Sequence, residues 1–476
     1  MNRAKLLIEN VIVYGFGGMI AKLVPFLMLP IVTRLMPGTS YFGISDLANS
    51  LTQFAQSVAV MGMYDAMFRL FFERKEDEDY RRRVCTTALY FVTGCSFAVA
   101  VCMLLLSDPI ARLFFGGSQF ASLTVVSAVS TFVGGNGSIV QAPTRMQNKR
   151  GVFVVMNLVT SLLSYSISIP MLLAGEYLMA LPVASLLASF TSLCVFFVLN
   201  RGWFKLGFFD RGVLRDLLKI GVPLMPSFIF YWVLSSADRL IVVNLLGDSA
   251  AGIFAAASKI GQVSQLIYTA FAQGWQYFAF STMRDKDQVE LTSRIYEALG
   301  VVSLIVAGMV TALAEPIFSM FYPSAYASGA SSVPLLFLAP LLLMLYQVAV
   351  NQLLVVKKTW PSLVILAIAG TSNVIVCASL VNSLGVEGAA IATLVGYLVA
   401  NALLILVLFR RGLMAIRVRF FLAVGVFVVY YAVWRTLLQG QTIAMVVAWA
   451  VLVLSVLTLY HDDATRFAHS VTREKG

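Results

Sequence analysis

Residues 247–265 read GDSAAGIFAAASKIGQVSQ, and an earlier stretch, GTSYFGISDLANSLTQFAQ at 38–56, aligns with them without a gap at an offset of 209 residues. Seven positions are identical: Gly38 and Gly247, Ser40 and Ser249, Gly43 and Gly252, Ile44 and Ile253, Ala48 and Ala257, Gln53 and Gln262, and Gln56 and Gln265. Near the same offset, DPIARLFF (108–115) resembles EPIFSMFY (315–322). These matches indicate an internal duplication.

Both copies lie in a chain that has the composition of a membrane protein. Of its 476 residues, 59% are hydrophobic and 12% are charged, whereas about a quarter of the residues of a soluble domain are charged. Apolar runs of about 20 residues, the length that crosses a bilayer as a helix, recur from end to end. Transmembrane strands would instead give alternating segments of about ten residues. The sequence therefore predicts an all-α polytopic membrane protein.

The apolar runs predict fourteen transmembrane helices, an even number that places both termini on one side of the membrane. The predicted spans are 10–33, 42–68, 85–106, 120–142, 151–174, 178–200, 222–246, 251–280, 295–314, 332–355, 361–381, 386–409, 420–438 and 442–460. If the N-terminus is cytoplasmic, the cytoplasmic segments hold 27 of the 34 Lys and Arg residues and the outer segments hold three. This bias predicts cytoplasmic termini.

The same bias explains the formal net charge of +11 as a consequence of membrane topology. Basic cytoplasmic segments attract the anionic headgroups of the inner leaflet, so we expect anionic phospholipids as partners. A nucleic-acid partner is not expected, because the basic residues are distributed over many short loops.

The duplication divides the predicted helices into two lobes. Each copy holds six helices, so both copies enter the membrane from the same side, related by a pseudo-two-fold axis along the membrane normal. The predicted N-lobe is residues 1–205, with helices 1–6, and the predicted C-lobe is residues 206–412, with helices 7–12. Residues 413–476 form helices 13 and 14 and a cytoplasmic tail, outside the duplication.

Polar side chains inside the spans are the candidate functional residues, because such groups normally face a bundle interior or a watery cavity. Two helices carry a polar stripe: Asp46, Asn49, Gln53 and Gln56 on predicted helix 2, and Lys259, Gln262 and Gln265 on predicted helix 8. Spacings of three and four place each stripe on one helical face. The alternative is hydrogen bonding between helices, at about 0.6–2 kcal/mol per contact. Two symmetry-related stripes that include charges favour a cavity lining.

Four more charged residues lie in or at the edge of the spans: Lys22, Arg34, Asp238 and Arg239. Lys22 lies in the middle of helix 1 and is predicted to face a cavity. Arg34, at the outer end of that helix, faces either a cavity or the membrane interface. Asp238 and Arg239 are adjacent on helix 7 and point about 100° apart, so one of them can pair with a neighbouring helix, for example through Lys259.

The sequence contains no metal-ligand cluster, nucleotide-binding loop or nucleophile motif. We therefore expect no cofactor, no metal and no catalytic residue, and a transporter rather than an enzyme. Since no nucleotide site is predicted, active transport would depend on an ion gradient or on substrate flow.

Several stretches resemble a known family: GMYDAMFRLFFERKEDEDYRRR (62–83), AFAQGWQYFAFSTMRDKD (270–287), and residues 223–260 and 351–399. The chain resembles the polysaccharide-exporter branch, including the O-antigen flippases, of the multidrug/oligosaccharidyl-lipid/polysaccharide (MOP) flippase superfamily. The resemblance implies a two-lobed MATE-like fold of twelve core helices, with two more helices in this branch. It also implies alternating access in the bacterial inner membrane.

The substrate that the resemblance implies is an undecaprenyl-diphosphate-linked oligosaccharide for O-antigen, capsule or exopolysaccharide. Lys22, Arg34, Arg239 and Lys259 are then expected to bind its anionic groups. Asn49 and the four glutamines of the stripes would contact sugar hydroxyls, and Asp46 or Asp238 would couple a cation, either a proton or sodium. A polysaccharide polymerase and glycosyltransferases are expected partners of a monomeric transporter.

Three alternatives stay open at this point. The first is a multidrug or organic-cation antiporter of the same fold, which would favour carboxylates and aromatic residues in its cavity. The second is a membrane polysaccharide polymerase or ligase. The third is a flippase for the peptidoglycan precursor, which the sequence separates poorly from the preferred interpretation.

Overall fold

The computed structural model describes residues 23–74, 76–205, 207–268, 271, 275, 287–356 and 360–461. All regular secondary structure within these ranges is helical. Ten helices in them are long and apolar enough to cross a membrane. The prediction of an all-α polytopic membrane protein is therefore confirmed.

The first half of the chain follows the predicted spans closely. Its helices are α1 Leu23–Leu35, α2 Thr39–Val60, α3 Met63–Glu73, α4 Glu78–Leu105, α5 Ser107–Phe115, α6 Ala121–Met146, α7 Arg150–Leu173, α8 Ala180–Asn200, α9 Arg211–Leu246 and α10 Asp248–Gly261. The predicted span 42–68 is two helices, because Met61 and Gly62 both adopt positive φ angles and end α2. The short α5 lies where the sequence predicts an outer loop.

The second half contains α11 Gln288–Ala312, α12 Ala314–Phe321, α13 Val333–Val355, α14 Trp360–Arg410, α15 Val418–Val433 and α16 Thr442–Leu459. Non-helical backbone at Gly385 (φ 59°, ψ −138°) divides α14 into two helices, as the predicted spans 361–381 and 386–409 require. The short helices α5 and α12 cover the two DPIARLFF-like segments, so both copies of that motif have the same local structure.

Two compact units make up the described chain. The first unit holds residues up to Ala256 together with Gly370–Ala392, and the second unit holds Ala257–Ala369 together with the residues from Thr393 onward. In the first unit α6 packs against α2, α4 and α8, and an apolar core joins α3, α4, α6 and α9. The predicted lobe boundaries at residues 205 and 412 stay a prediction.

In the second unit, α11 is the surface on which α15 and α16 pack. Tyr430 Oη donates a hydrogen bond to Gly308 O at 2.8 Å, and Trp449 Nε1 donates to Ile305 O at 3.0 Å. A Cβ on Gly308 would lie 2.7 Å from Leu452 Cδ2. Glycine at this position therefore lets the last two helices approach the α11 backbone closely.

Candidate functional site in the first unit

Two glycines of the duplicated stretch meet where α2 and α10 begin. A Cβ added to Gly43 would collide with the backbone of Gly252, and a Cβ added to Gly252 would collide with Thr39 O. Thr39 Oγ1 also donates a hydrogen bond to Ser249 O at 3.1 Å. Because Gly43 and Gly252 are equivalent positions of the duplication, the two copies contact each other here through the same residue. This crossing brings together the beginnings of the two helices that carry the stripes.

A buried ion pair joins α2 to α9. Arg239 Nε donates to Asp46 Oδ2 at 2.7 Å, and both residues are buried, with 7% and 6% of their surface exposed. Arg239 Nη1 donates to Ser235 O at 2.6 Å, and the guanidinium lies over the Phe254 ring at 5.8 Å. In a low-dielectric interior such a pair needs these additional hydrogen bonds to offset desolvation. A residue predicted to bind substrate and one predicted to couple an ion are therefore bonded to each other.

Asp238 is buried beside this pair. Its Oδ1 accepts a hydrogen bond from Arg239 N at 2.9 Å and lies 3.7 Å from Arg239 Nη1. The thiol of Cys377, on α14, lies within electrostatic range of Asp238. One helical turn before Cys377, the buried side chain of Asn373 has neither its amide nitrogen nor its oxygen hydrogen-bonded within the described part of the chain. Burying an amide without a hydrogen bond costs free energy. A polar ligand or ion that bonded to Asn373 would therefore be stabilised there.

The other polar residues of α2 differ in their surroundings. Asn49 and Gln53, four residues apart, are exposed, whereas Gln56 is half-buried. Gln56 Nε2 donates to Ser130 O at 3.2 Å, and its side chain occupies the space that a Cβ on Gly134 would need. Gln56 thus bonds α2 to α6. Asn49 and Gln53 stay available, and since exposed carboxamides are costly against hydrocarbon, this face of α2 suits contact with water or a polar ligand.

The stripe of predicted helix 8 is interrupted in the structure. The α-helix α10 ends at Gly261, and residues 262–263 form a turn before helical residues 264–268. The Gln265 N–H bonds to Gln262 O at 2.9 Å, an i to i+3 pattern. Lys259 and Gln265 are half-buried and Gln262 is exposed. The tight turn changes the direction of the glutamines relative to Lys259, so the three residues do not share one continuous helical face.

The two cations predicted on helix 1 have separate outcomes. Arg34 is exposed near the end of α1, and its Nη1 donates to Pro30 O at 3.1 Å. Its exposure agrees with either a cavity or an interface position. Lys22 lies outside the described residues.

Three residues near these groups were not singled out from the sequence: Asn373, Trp232 and Cys377. The spacing of Asn373 and Cys377, four residues apart in an apolar span, is a signal that would have found that face of α14. Trp232 gives no comparable signal, because a tryptophan in an apolar run is ordinary. Among the described residues, no group of three or more His, Cys, Asp or Glu is placed to hold a metal ion.

Comparison with solved structures relates this fold to known transporters. The chain is similar to a structure of the lipid II flippase MurJ in an inward closed conformation, with 15% identity, a TM-score of 0.70, and 95% of this chain and 99% of that chain covered. It is also similar to an inward-facing MATE multidrug resistance transporter of the MOP superfamily, with 15% identity, a TM-score of 0.66, and 83% and 98% covered.

A third similar structure is a MOP superfamily transporter from Pyrococcus furiosus. It has 15% identity and a TM-score of 0.62, with 84% of this chain and 95% of that chain covered. At such identities these likenesses show the fold. They confirm the MATE-like architecture that the sequence predicts.

Comparison with protein-family models identifies the family, which the solved structures do not show. The comparison with curated proteins gave no match. The family model described as "Polysaccharide biosynthesis protein" matches residues 31–331, more than half of the chain. The match includes both copies of the duplicated stretch, the ion pair between α2 and α9, and Lys259. The chain is therefore a multi-pass membrane protein that belongs to the polysaccharide biosynthesis protein family.

Proposed function

We propose that the chain is a flippase that moves an undecaprenyl-diphosphate-linked oligosaccharide across the bacterial inner membrane for surface polysaccharide. The observation that carries the proposal is the polysaccharide family match on a chain with a transporter fold. A polysaccharide pathway that builds its glycan on a lipid in the cytoplasmic leaflet needs a protein that brings the glycan to the other side. O-antigen, capsule and exopolysaccharide are all products that such a transporter would serve.

The described residues supply chemistry that suits such a lipid. Lys259 and Arg34 are cations able to bind a diphosphate or an acidic sugar, and the proposal assigns Lys22 the same role. Asn49, Gln53 and Gln262 are exposed carboxamides, which can both donate to and accept from sugar hydroxyls. Gln56 and Gln265 are half-buried and would contact the glycan at its edge. An organic cation would need accessible carboxylates, and Asp46 is already bonded to Arg239 at 2.7 Å.

Ion coupling is proposed at Asp238. Asp238 is buried within electrostatic range of Cys377, and Asn373, one helical turn before Cys377, has a buried side-chain amide that is not hydrogen-bonded within the described residues. Carboxylate and amide oxygens are the donors that a hard cation prefers. If the coupling ion is a proton, the Asp238 carboxylate would bind it directly. Asp46, through Arg239, would sense the charge at Asp238, because the guanidinium contacts both carboxylates.

The proposal also includes the placement and partners of the protein. Both termini would be cytoplasmic, as the distribution of Lys and Arg predicts. A monomer is sufficient, because the duplication supplies both halves of a pathway within one chain. Glycosyltransferases on the cytoplasmic side and a polymerase on the outer side would supply and consume the lipid-linked glycan.

Replacing Lys259 with alanine tests the proposal. We expect Lys259→Ala to abolish surface polysaccharide in a deletion strain and to leave lipid-linked oligosaccharide in the cytoplasmic leaflet, since a buried diphosphate needs a cationic partner. The amount of inserted protein should stay that of the wild type. The matched control is Lys219→Ala, because Lys219 is exposed and pairs with Asp216 only three residues away.

Three results would overturn parts of the proposal. Normal export by Lys259→Ala would remove Lys259 from the site. Normal surface polysaccharide in the deletion strain, combined with a change in drug resistance, would favour the antiporter alternative. Accumulation of the peptidoglycan precursor alone would favour the third alternative.

A further inference from the structure

Trp232 is a tryptophan of α9 whose indole is held against α2 in the first unit. Its Nε1 donates a hydrogen bond to Ser50 O at 3.0 Å. The ring contacts Phe54 at a centroid distance of 4.6 Å and Phe114 at 6.3 Å. The indole N–H is therefore satisfied by the protein and the ring is backed by two aromatic residues, yet Trp232 is not fully buried. What remains for a ligand is apolar ring surface in a rigid orientation.

Neutral polar residues occupy the positions of α2 and α9 next to those that hold this ring. On α2, Trp232 donates its hydrogen bond to Ser50 and packs against Phe54, two residues that are four apart and so lie on one side of the helix. Asn49 and Gln53, also four residues apart, lie next to them around the helix axis. Both carboxamides are exposed and make no hydrogen bond within the described residues. Ser235, one turn along α9 from Trp232, is also exposed, and its Oγ donates to Trp232 O at 3.2 Å.

A fixed aromatic face beside free carboxamides matches the surface of a pyranose ring. One face of a sugar presents C–H groups that pack on an indole, and its edge presents hydroxyls that bond to amides. A lipid tail has no donor or acceptor that could form a hydrogen bond with these amides. A phosphate would need a cation, and the nearest one along α9, Arg239, is already bonded to Asp46.

We propose that Trp232 is the stacking residue of a sugar subsite in which Asn49 and Gln53 bond the hydroxyls of the same ring. This proposal rests on the proposed function and deepens it. It adds an aromatic platform on α9 and assigns it to the glycan portion of the substrate rather than to the diphosphate or the lipid.

The test compares binding of two lipids to the purified protein in nanodiscs. The probes are bare undecaprenyl diphosphate and the undecaprenyl-diphosphate-linked oligosaccharide extracted from the deletion strain. We expect Trp232→Leu to weaken binding of the glycan-bearing lipid about tenfold, a factor typical of a lost aromatic contact, and to leave binding of the bare lipid unchanged. Trp232→Phe, which keeps a ring, should retain most of the affinity and exclude misfolding as the cause.

The control variant is Trp360→Leu, because Trp360 is exposed at the start of α14 and lies outside this site. Unchanged binding of the glycan-bearing lipid to Trp232→Leu, or an equal loss for both lipids, would overturn the subsite while leaving the proposed function in place. If the wild type bound neither lipid, the proposed function would fail together with the subsite.

Discussion

Arg239 shows how burial changes the role expected of a charged residue. In the sequence it is one of four cations available for an anionic substrate. In the structure its guanidinium is engaged by Asp46, by Ser235 O and by the Phe254 ring. A buried charge with these partners serves first to position α2 against α9, and substrate would have to displace a carboxylate to reach it. Lys259, half-buried in the last turn of α10, is therefore the stronger candidate for contact with an anion.

A double-mutant cycle tests this interpretation of the pair. Arg239→Gln and Asp46→Asn should each destabilise the protein by about 3–5 kcal/mol, because each removes one member of a buried ion pair and leaves the other charge buried. The double variant should be destabilised by less than the sum of the two. Thermal unfolding in detergent measures all three. Arg34→Gln is the control, since Arg34 is exposed, and additive losses in the cycle would contradict a direct interaction between the two side chains.

At the scale of the element, glycines determine how the helices of the first unit approach one another. Met61 and Gly62 end α2 in left-handed backbone, and a Cβ on Gly62 would lie 2.6 Å from Gly221 O on α9. The ion pair, the Trp232 bond to Ser50 and this glycine contact follow one another along α2, while their α9 partners run in the opposite order. The two helices are thus antiparallel neighbours over most of the length of α2.

Alanine at Gly62 tests this contact. We expect Gly62→Ala to destabilise the protein by about 1–3 kcal/mol, because a non-glycine residue is strained at φ 69°, and the clash with Gly221 adds to that loss. Thermal unfolding of the purified variant measures the effect. Gly137→Ala is the matched control within α6: a Cβ there meets nothing within 4 Å, and alanine favours a helix. Equal stability of the two variants would show that the α2–α3 break tolerates a side chain.

At the scale of the whole molecule, the linker that follows each copy of the duplication docks on a helix of that copy, at equivalent positions about 210 residues apart. In the first unit the linker before α9 docks on α4, where Thr86 and Thr87 accept hydrogen bonds from Lys205 N and Asp210 N at 3.2 and 3.0 Å. In the second unit the linker before α15 docks on α11. There Ser293 and Glu297 accept from Ala415 N and Arg417 N at 3.0 and 2.7 Å. The linker before α15 therefore docks on α11 in the same manner as the linker before α9 docks on α4. The last two helices are an integral part of the second unit.

Glu297 is the residue on which this docking depends. It is buried, with 2% of its surface exposed, and its Oε2 lies 3.7 Å from Arg419 Nε. We expect Glu297→Leu to loosen α15 and α16, because the Arg417 amide loses its acceptor and the Arg419 guanidinium loses the carboxylate of its ion pair. Faster proteolysis near residues 411–417 and a lower unfolding temperature would show this. Glu290→Leu on the same helix is the control, because its exposed pair with Arg294 contributes little. Equal behaviour of the two variants would contradict a docking role.

The sequence by itself determined the membrane class, most helix positions, the duplication and the family. Hydropathy and internal repeats are properties of the order of residues along the chain, so they can be read without knowing the tertiary contacts. It also predicted polar stripes, of which Asp46, Asn49, Gln53 and Gln56 lie on one α-helix. Only the tertiary structure decided that Arg239 bonds to Asp46, that Trp232 is fixed on Ser50, and that Gly261 ends the helix carrying Lys259. It also decided that the Asn373 side chain is buried with no hydrogen bond to the described part of the chain. These outcomes depend on how far each helix is rotated and how closely it approaches its neighbours. Contacts between residues distant in the chain, such as Gly43 with Gly252 and Gly62 with Gly221, set that rotation and distance, and no local pattern encodes them.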